Sequence, residues 1–187
     1  YLGYIRNSIN PRRGFSILFL SIISSTALIN FDVFVIVSLL LIVISIFIKN
    51  KIIENSLFFL SFLLLNIFLF NSFNTEFSYY LLKYALPISL VSGVFSLMMI
   101  GHWFLVDPTI SKEGMKRMAL LTTFQPLIII PLVYFNYLSE EIGDIYKLVI
   151  MFLYLSTGIL SFASYKSLNA MSYTVVMAAK VLCYLSL

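Results

Sequence analysis

The sequence is poor in the residues from which most catalytic and metal sites are built. It contains one cysteine, Cys183, and one histidine, His102. A single cysteine cannot form a disulfide or a cysteine-based metal site within one chain, and one histidine without clustered carboxylates does not predict a metal site. Phosphate-binding glycine loops, nucleophile elbows and zinc-protease histidine pairs are also missing from the sequence. The sequence therefore gives no reason to predict catalysis.

Charge is equally scarce. Only 11% of the residues are charged and 61% are hydrophobic, against roughly 25% and 45–50% in soluble domains. The mean hydropathy of +1.02 indicates that the chain is solvated by a lipid bilayer, since a lipid-facing surface needs no polar residues. The net charge of +4 comes from scattered basic residues, so the sequence predicts no nucleic-acid binding.

Long apolar segments define the predicted architecture. A membrane-spanning helix needs about 20 apolar residues, whereas a barrel strand shows about ten residues of alternating character. The sequence has no such alternation, so it predicts an all-α, polytopic integral membrane helix bundle in a single domain, residues 1–187. About seven transmembrane helices are expected, near residues 14–30, 31–48, 57–73, 85–107, 119–138, 148–168 and 169–187.

The basic residues predict the orientation of these spans. Lys and Arg collect in short cytoplasmic loops, and nine of the twelve basic residues fall on the side of the N-terminus. The N-terminus is therefore predicted to be cytoplasmic, in a bacterial inner membrane or an organellar membrane. Lys180 remains inside the last predicted span, where it would reach toward the outer surface or pair across a subunit interface.

Polar groups within the spans are the main indication of function, because they are costly in lipid and usually face a partner. His102 and Trp103 lie near the end of span four, and Gln125 lies in span five. Counted from the predicted span ends, His102 and Gln125 are at similar depths and could meet. A neutral imidazole there could bind haem iron or a quinone carbonyl. The simpler alternative is a histidine that joins two helices by a hydrogen bond, with Trp103 as an interface anchor.

Two further patterns bear on packing and transport. Pro126 and Pro131 are expected to kink span five, as in some transporters. Small residues line one face of span four and one face of span six, which favours close helix packing: Ser89, Ser92, Gly93 and Ser96 in the first, and Thr157, Ser161 and Ser164 in the second.

The connection between spans four and five, residues 108–118, mixes apolar residues with three cations. The apolar residues are Ile110, Met115 and Met118. Such a segment lies along the anionic membrane surface or forms a solvated loop that obeys the charge rule.

Three functions are compatible with these features. The leading hypothesis is a non-catalytic membrane subunit that packs against other membrane protein subunits. The alternatives are a redox subunit that contacts haem or quinone at His102, and a small-solute or proton transporter built around the kinked span five.

The topology can be tested with cysteine labelling. In a Cys183→Ser background, Arg12→Cys should react with a membrane-impermeant thiol reagent only from the cytoplasmic side, and Glu140→Cys only from the opposite side. The measurement is labelling in intact cells and in inverted vesicles. Labelling of both positions from the same side would refute the predicted topology.

Overall fold

A computed structural model describes residues 1–9, 11, 13–27, 32–48, 50–73, 80–104, 106–107, 109–135 and 143–169. Within these ranges the secondary structure is helical and contains no strand. The predicted all-α class is therefore confirmed for the described part of the chain. Apart from Asn169, the predicted last span, 169–187, lies outside the described residues, and so does its Lys180.

Seven α-helices make up the described chain. They are α1 Leu2–Ser8, α2 Arg13–Ala27, α3 Val33–Phe47, α4 Lys51–Phe73, α5 Leu86–Phe104, α6 Lys112–Tyr134 and α7 Asp144–Leu168. A π-helical segment, Leu81–Ala85, leads directly into α5, and the amide of Leu86 donates to the carbonyl of Leu81. Pro87 follows and has no amide hydrogen to donate, so the wider π turn occurs where regular α-helical bonding is interrupted in any case.

Four helical segments are long and apolar enough to cross a membrane. They are Lys51–Ser72, Leu81–Phe104, Lys112–Tyr134 and Asp144–Leu168. Helices α2 and α3 are apolar but have only 15 residues each, which corresponds to about 22 Å against a hydrocarbon thickness of about 30 Å. The described structure therefore contains four candidate spans and two shorter apolar helices.

Two helices begin earlier than the hydropathy predicts. Helix α4 starts at Lys51 rather than near residue 57, and α6 starts at Lys112 rather than near residue 119. The charged residues of these first turns lower the local hydropathy without preventing helix formation, because charged side chains are compatible with a helical backbone. The segment predicted to be a surface helix or a solvated loop is therefore largely the start of α6.

The apolar residues of that segment are used within the protein. Ile110 is 5% exposed, Met115 2% and Met118 0%. These three side chains are packed in the fold and are not available to insert into lipid, whereas the position of the segment relative to the membrane stays a prediction.

The chain divides into two compact units, which are described separately. The N-terminal unit comprises Leu2–Phe77, and the C-terminal unit comprises Ser78–Leu187 together with Tyr1.

In the N-terminal unit, α3 packs against α4. The buried residues of α3 recur at helical spacing and include two serines: Val35, Ser38, Ile42 and Ser45. The hydroxyls of Ser38 and Ser45 donate to carbonyls one turn earlier in α3, at 2.8 and 2.6 Å. Ser61 of α4 donates across the interface to the carbonyl of Ser38 at 3.1 Å. Small side chains with satisfied hydroxyls allow the two helices to approach closely.

Helix α1 is attached to the first turns of α4. Nε of Arg6 lies 2.6 Å from a carboxylate oxygen of Glu54, and the side chains are 21% and 9% exposed. The amide of Asn7 donates to that of Asn55. A methyl group at Gly3 would meet the ring of Phe58 at 3.0 Å. Two polar pairs and a close backbone approach thus fix α1 along α4.

In the C-terminal unit, α6 contacts both α5 and α7. Leu90 and Val94 of α5 pack with Ile129 and Val133 of α6, and α7 covers this core with Ile150, Met151 and Tyr154. Gly158 of α7 lies against Pro126, with ordinary van der Waals distances to the place where its Cβ would be. Buried small residues on α5 (Gly93, Ser96) and α7 (Ser161, Ser164) confirm the packing role predicted for both stripes.

The ion pair between α1 and α4 provides a test of the N-terminal unit. Glu54→Gln should lower the free energy of unfolding by about 3 kcal/mol, because Arg6 is then left largely buried without its counter-charge. The double variant Arg6→Met with Glu54→Leu should recover most of that loss, since an apolar pair needs no counter-charge. The measurement is thermal unfolding by circular dichroism in detergent micelles.

Glu113→Gln is the matched control for this experiment. Glu113 pairs with Lys116 at 2.8 Å but is largely exposed, so its removal should change stability little. If Glu54→Gln and Glu113→Gln were equally neutral, α1 would not be fixed to α4 by its ion pair.

Candidate functional site

Among the described residues of the C-terminal unit, a polar contact between two helices joins α5 to α6. Nε2 of Gln125 donates to Oγ of Ser89 at 2.9 Å, and the Ser89 hydroxyl donates in turn to the carbonyl of Leu86 at 2.8 Å. Gln125 lies well inside α6, and Ser89 lies in the first turn of α5, which continues directly from the π-helical segment. A primary amide cannot satisfy itself within its own helix turn as easily as a serine hydroxyl can, so a bond to another helix is its usual solution in an apolar setting.

Tyr1 completes this arrangement. Its hydroxyl donates to the carbonyl oxygen of Ser89 at 2.8 Å, and Nε2 of Gln125 lies 3.5 Å from the same hydroxyl. The second Gln125 contact is long, so it is the weaker of the two. The phenol is therefore held mainly by the backbone of α5.

A glycine makes room for the phenol. A methyl group at Gly93 would lie 2.8 Å from the Tyr1 hydroxyl oxygen and 3.0 Å from both Cζ of Tyr1 and Cγ2 of Thr122. Thr122 is fully buried and its hydroxyl donates to carbonyls of its own helix, so it presents only its methyl group here. We call the surface formed by Ser89, Gly93, Thr122 and Gln125 the polar notch, which the Tyr1 phenol occupies.

One acceptor in the polar notch is unused. Oε1 of Gln125 is buried and has no hydrogen-bond partner among the described residues. An unsatisfied buried acceptor costs about 1–3 kcal/mol of desolvation free energy. The four side chains of the notch carry no charge, so the group that best completes it is a neutral hydrogen-bond donor.

The structure separates the residues that the sequence suggested as one site. His102 is exposed in the last turn of α5, and Trp103 beside it is half-buried. Gln125 bonds instead to Ser89, which lies about 20 Å along α5 from His102 at the standard helical rise. The depth of Gln125 was underestimated because α6 begins at Lys112. His102 and Gln125 are therefore not brought together, whereas haem or quinone contact at His102 and Trp103 stays a prediction.

Both prolines of the predicted span five lie inside one helix, and the kink itself stays a prediction. Helix α6 runs continuously from Lys112 to Tyr134 through both prolines. Pro126 is buried against Gly158 and Pro131 is exposed. The transporter hypothesis therefore gains no broken helix from this structure, and it stays a prediction.

Two residues of the notch were not identified from the sequence as binding residues. Ser89 was recognised only as part of a small-residue stripe, and Tyr1 gave no signal because its position depends on tertiary contacts. The spacing of Ser89 and Gly93, one turn apart on α5, is the only local indication that a flat group could lie there.

The described residues offer no metal centre, because no three His, Cys, Asp or Glu side chains among them are grouped closely enough. The chain matches no protein-family model, no curated protein and no solved structure. Its function is therefore inferred from its own residues.

Two glycine substitutions test the geometry of the notch. Gly93→Ala should lower the free energy of unfolding by about 1–3 kcal/mol, because the new methyl group must displace the phenol or the buried Thr122. Gly158→Ala should be neutral or stabilising by up to about 1 kcal/mol, because its methyl group makes ordinary contacts and alanine favours a helix. Thermal unfolding in detergent measures both. Equal behaviour of the two variants would contradict the close approach at Gly93.

Proposed function

We propose that this chain is a non-catalytic subunit of a larger membrane protein complex. In this proposal it crosses the membrane about seven times with its N-terminus in the cytoplasm, in a bacterial inner membrane or an organellar membrane. The four long apolar helices and the distribution of basic residues support the embedding and the orientation.

The observation that carries the proposal is the low coverage of two candidate spans. In the most apolar part of α4 only 11% of the residues are buried within the chain. The share is also 11% in α7, against 44% in the segment that contains α5. Either lipid or another protein must cover faces of this size.

The composition of one α4 face favours a protein partner. Phe59 and Phe62 are 62% and 60% exposed, and Asn66 lies on the same side of the helix at spacings of seven and four residues. The amide of Asn66 donates to the carbonyl of Phe62 in its own helix at 2.8 Å. Side-chain amides are a common means of joining transmembrane helices, and Asn66 places one, half-buried within the chain, beside these two exposed rings.

Assembly can be measured after mild solubilisation of native membranes. The wild-type chain should migrate with co-purifying membrane proteins, well above its own mass of 21.4 kDa. The double variant Phe59→Ala with Phe62→Ala should dissociate from them, with a weakening of at least tenfold, because large aromatic side chains dominate interface energies. Its own thermal unfolding should hardly change, since both rings are exposed.

Phe124→Ala is the matched control, because Phe124 is 57% exposed on the better covered helix α6. It should leave the assembly intact. A wild-type chain that remains a monomer under conditions preserving other complexes of the same membrane would refute the proposal.

A further inference from the structure

The polar notch is not explained by a role in subunit packing. It lies between two helices of one unit, and the group that fills it is a phenol from the start of the chain. The Tyr1 side chain therefore shows which chemical group the notch accepts: a flat ring with a hydroxyl that donates to a backbone carbonyl.

Each wall of the notch selects a different property of such a ring. The carbonyl oxygen of Ser89 accepts the phenol hydroxyl at 2.8 Å, in addition to a longer bond from the Ser92 hydroxyl at 3.2 Å. Because Gly93 has no side chain, Cζ of the ring can approach the backbone of α5 closely at this position. The methyl group of Thr122 adds an apolar contact on the side of α6.

The phenol leaves one requirement of the notch unmet. Gln125 uses Nε2 for Ser89 and, at longer range, for the phenol oxygen. Its Oε1 is bonded to the same amide carbon and stays without a donor among the described residues. Because the Gln125 amide nitrogen lies 3.5 Å from the phenol oxygen, a second hydroxyl on the adjacent ring carbon that faces this amide is the group suited to donate to Oε1.

We infer that the polar notch is a binding site for a small aryl ring with two adjacent hydroxyl groups, an ortho-diphenol, which replaces the phenol of Tyr1. The ligand donates one hydrogen bond to the Ser89 carbonyl and one to Oε1 of Gln125. Tyr1 is an internal occupant that fills the notch when no ligand is bound.

Two properties of Tyr1 are consistent with displacement of its phenol from the polar notch by such a ligand. It is 37% exposed, so its departure uncovers less apolar surface than the loss of a core residue would. It also has only one short hydrogen bond, and that bond is replaced by the first hydroxyl of the ligand.

The experiment compares three probes that differ only in hydroxyl count: 4-methylcatechol, 4-methylphenol and toluene. Binding to the purified 187-residue chain in detergent micelles is followed by ligand-observed NMR and by the shift in unfolding temperature. In Tyr1→Ala, 4-methylcatechol should bind about tenfold more tightly than 4-methylphenol, because it makes one additional hydrogen bond. Toluene should bind more weakly than either. The wild-type chain should keep the same order with lower affinities, because Tyr1 competes.

Variants of the notch distinguish this site from general partitioning into the micelle. Gln125→Leu in the Tyr1→Ala background should remove the preference for 4-methylcatechol, because the second acceptor is lost. Gly93→Ala should abolish saturable binding to the wild-type chain, whereas Gly158→Ala should leave it unchanged. If the Tyr1→Ala chain fails to fold, the wild-type chain with the two glycine variants carries the test alone. Equal affinity for the three probes, or binding that is insensitive to Gly93→Ala, would overturn the inference.

Discussion

In a chain with this little charge, backbone hydrogen bonding is the constraint on which the rest of the structure depends. An apolar environment offers no water to backbone amides and carbonyls, so each segment must satisfy its own polar groups, and a helix does so locally. Most of the described residues lie in helices, and none of them lies in a strand. Where Pro87 removes a donor, the helix responds with the π turn Leu81–Ala85 rather than with an exposed loop.

Polar side chains are accommodated in two ways under the same constraint. Serine and threonine hydroxyls return to carbonyls of their own helix, as Ser38, Ser45 and Thr122 do. These hydroxyl groups cost little free energy in apolar surroundings, and the small side chains let the helix backbones approach closely. Two longer polar groups have a partner in another helix. Glu54 forms an ion pair with Arg6, and Gln125 donates a hydrogen bond to Ser89. Cross-helix bonds of this second kind specify which helix faces are in contact.

The polar notch is a consequence of that second kind of contact. Gln125 is fixed by Ser89 through its nitrogen, so its oxygen has no donor among the described residues, and Gly93 leaves room on the adjoining surface for the Tyr1 phenol. The ligand-binding proposal and the subunit proposal concern different parts of the chain. The former depends on α5 and α6, whereas the latter depends on the uncovered face of α4.

Composition and the length of the apolar segments determined the helical class and the approximate number of described helices, because these follow from local hydrogen bonding and burial. The small-residue stripes on α5 and α7 could also be predicted from the sequence, since their spacing matches the helical repeat. The pairing of Gln125 could not, because it depends on where α6 begins, and the charged turn at Lys112 hides that boundary from hydropathy. Tyr1 could not be placed from the sequence at all, since its partners are remote along the chain. Only the tertiary structure brings such residues together.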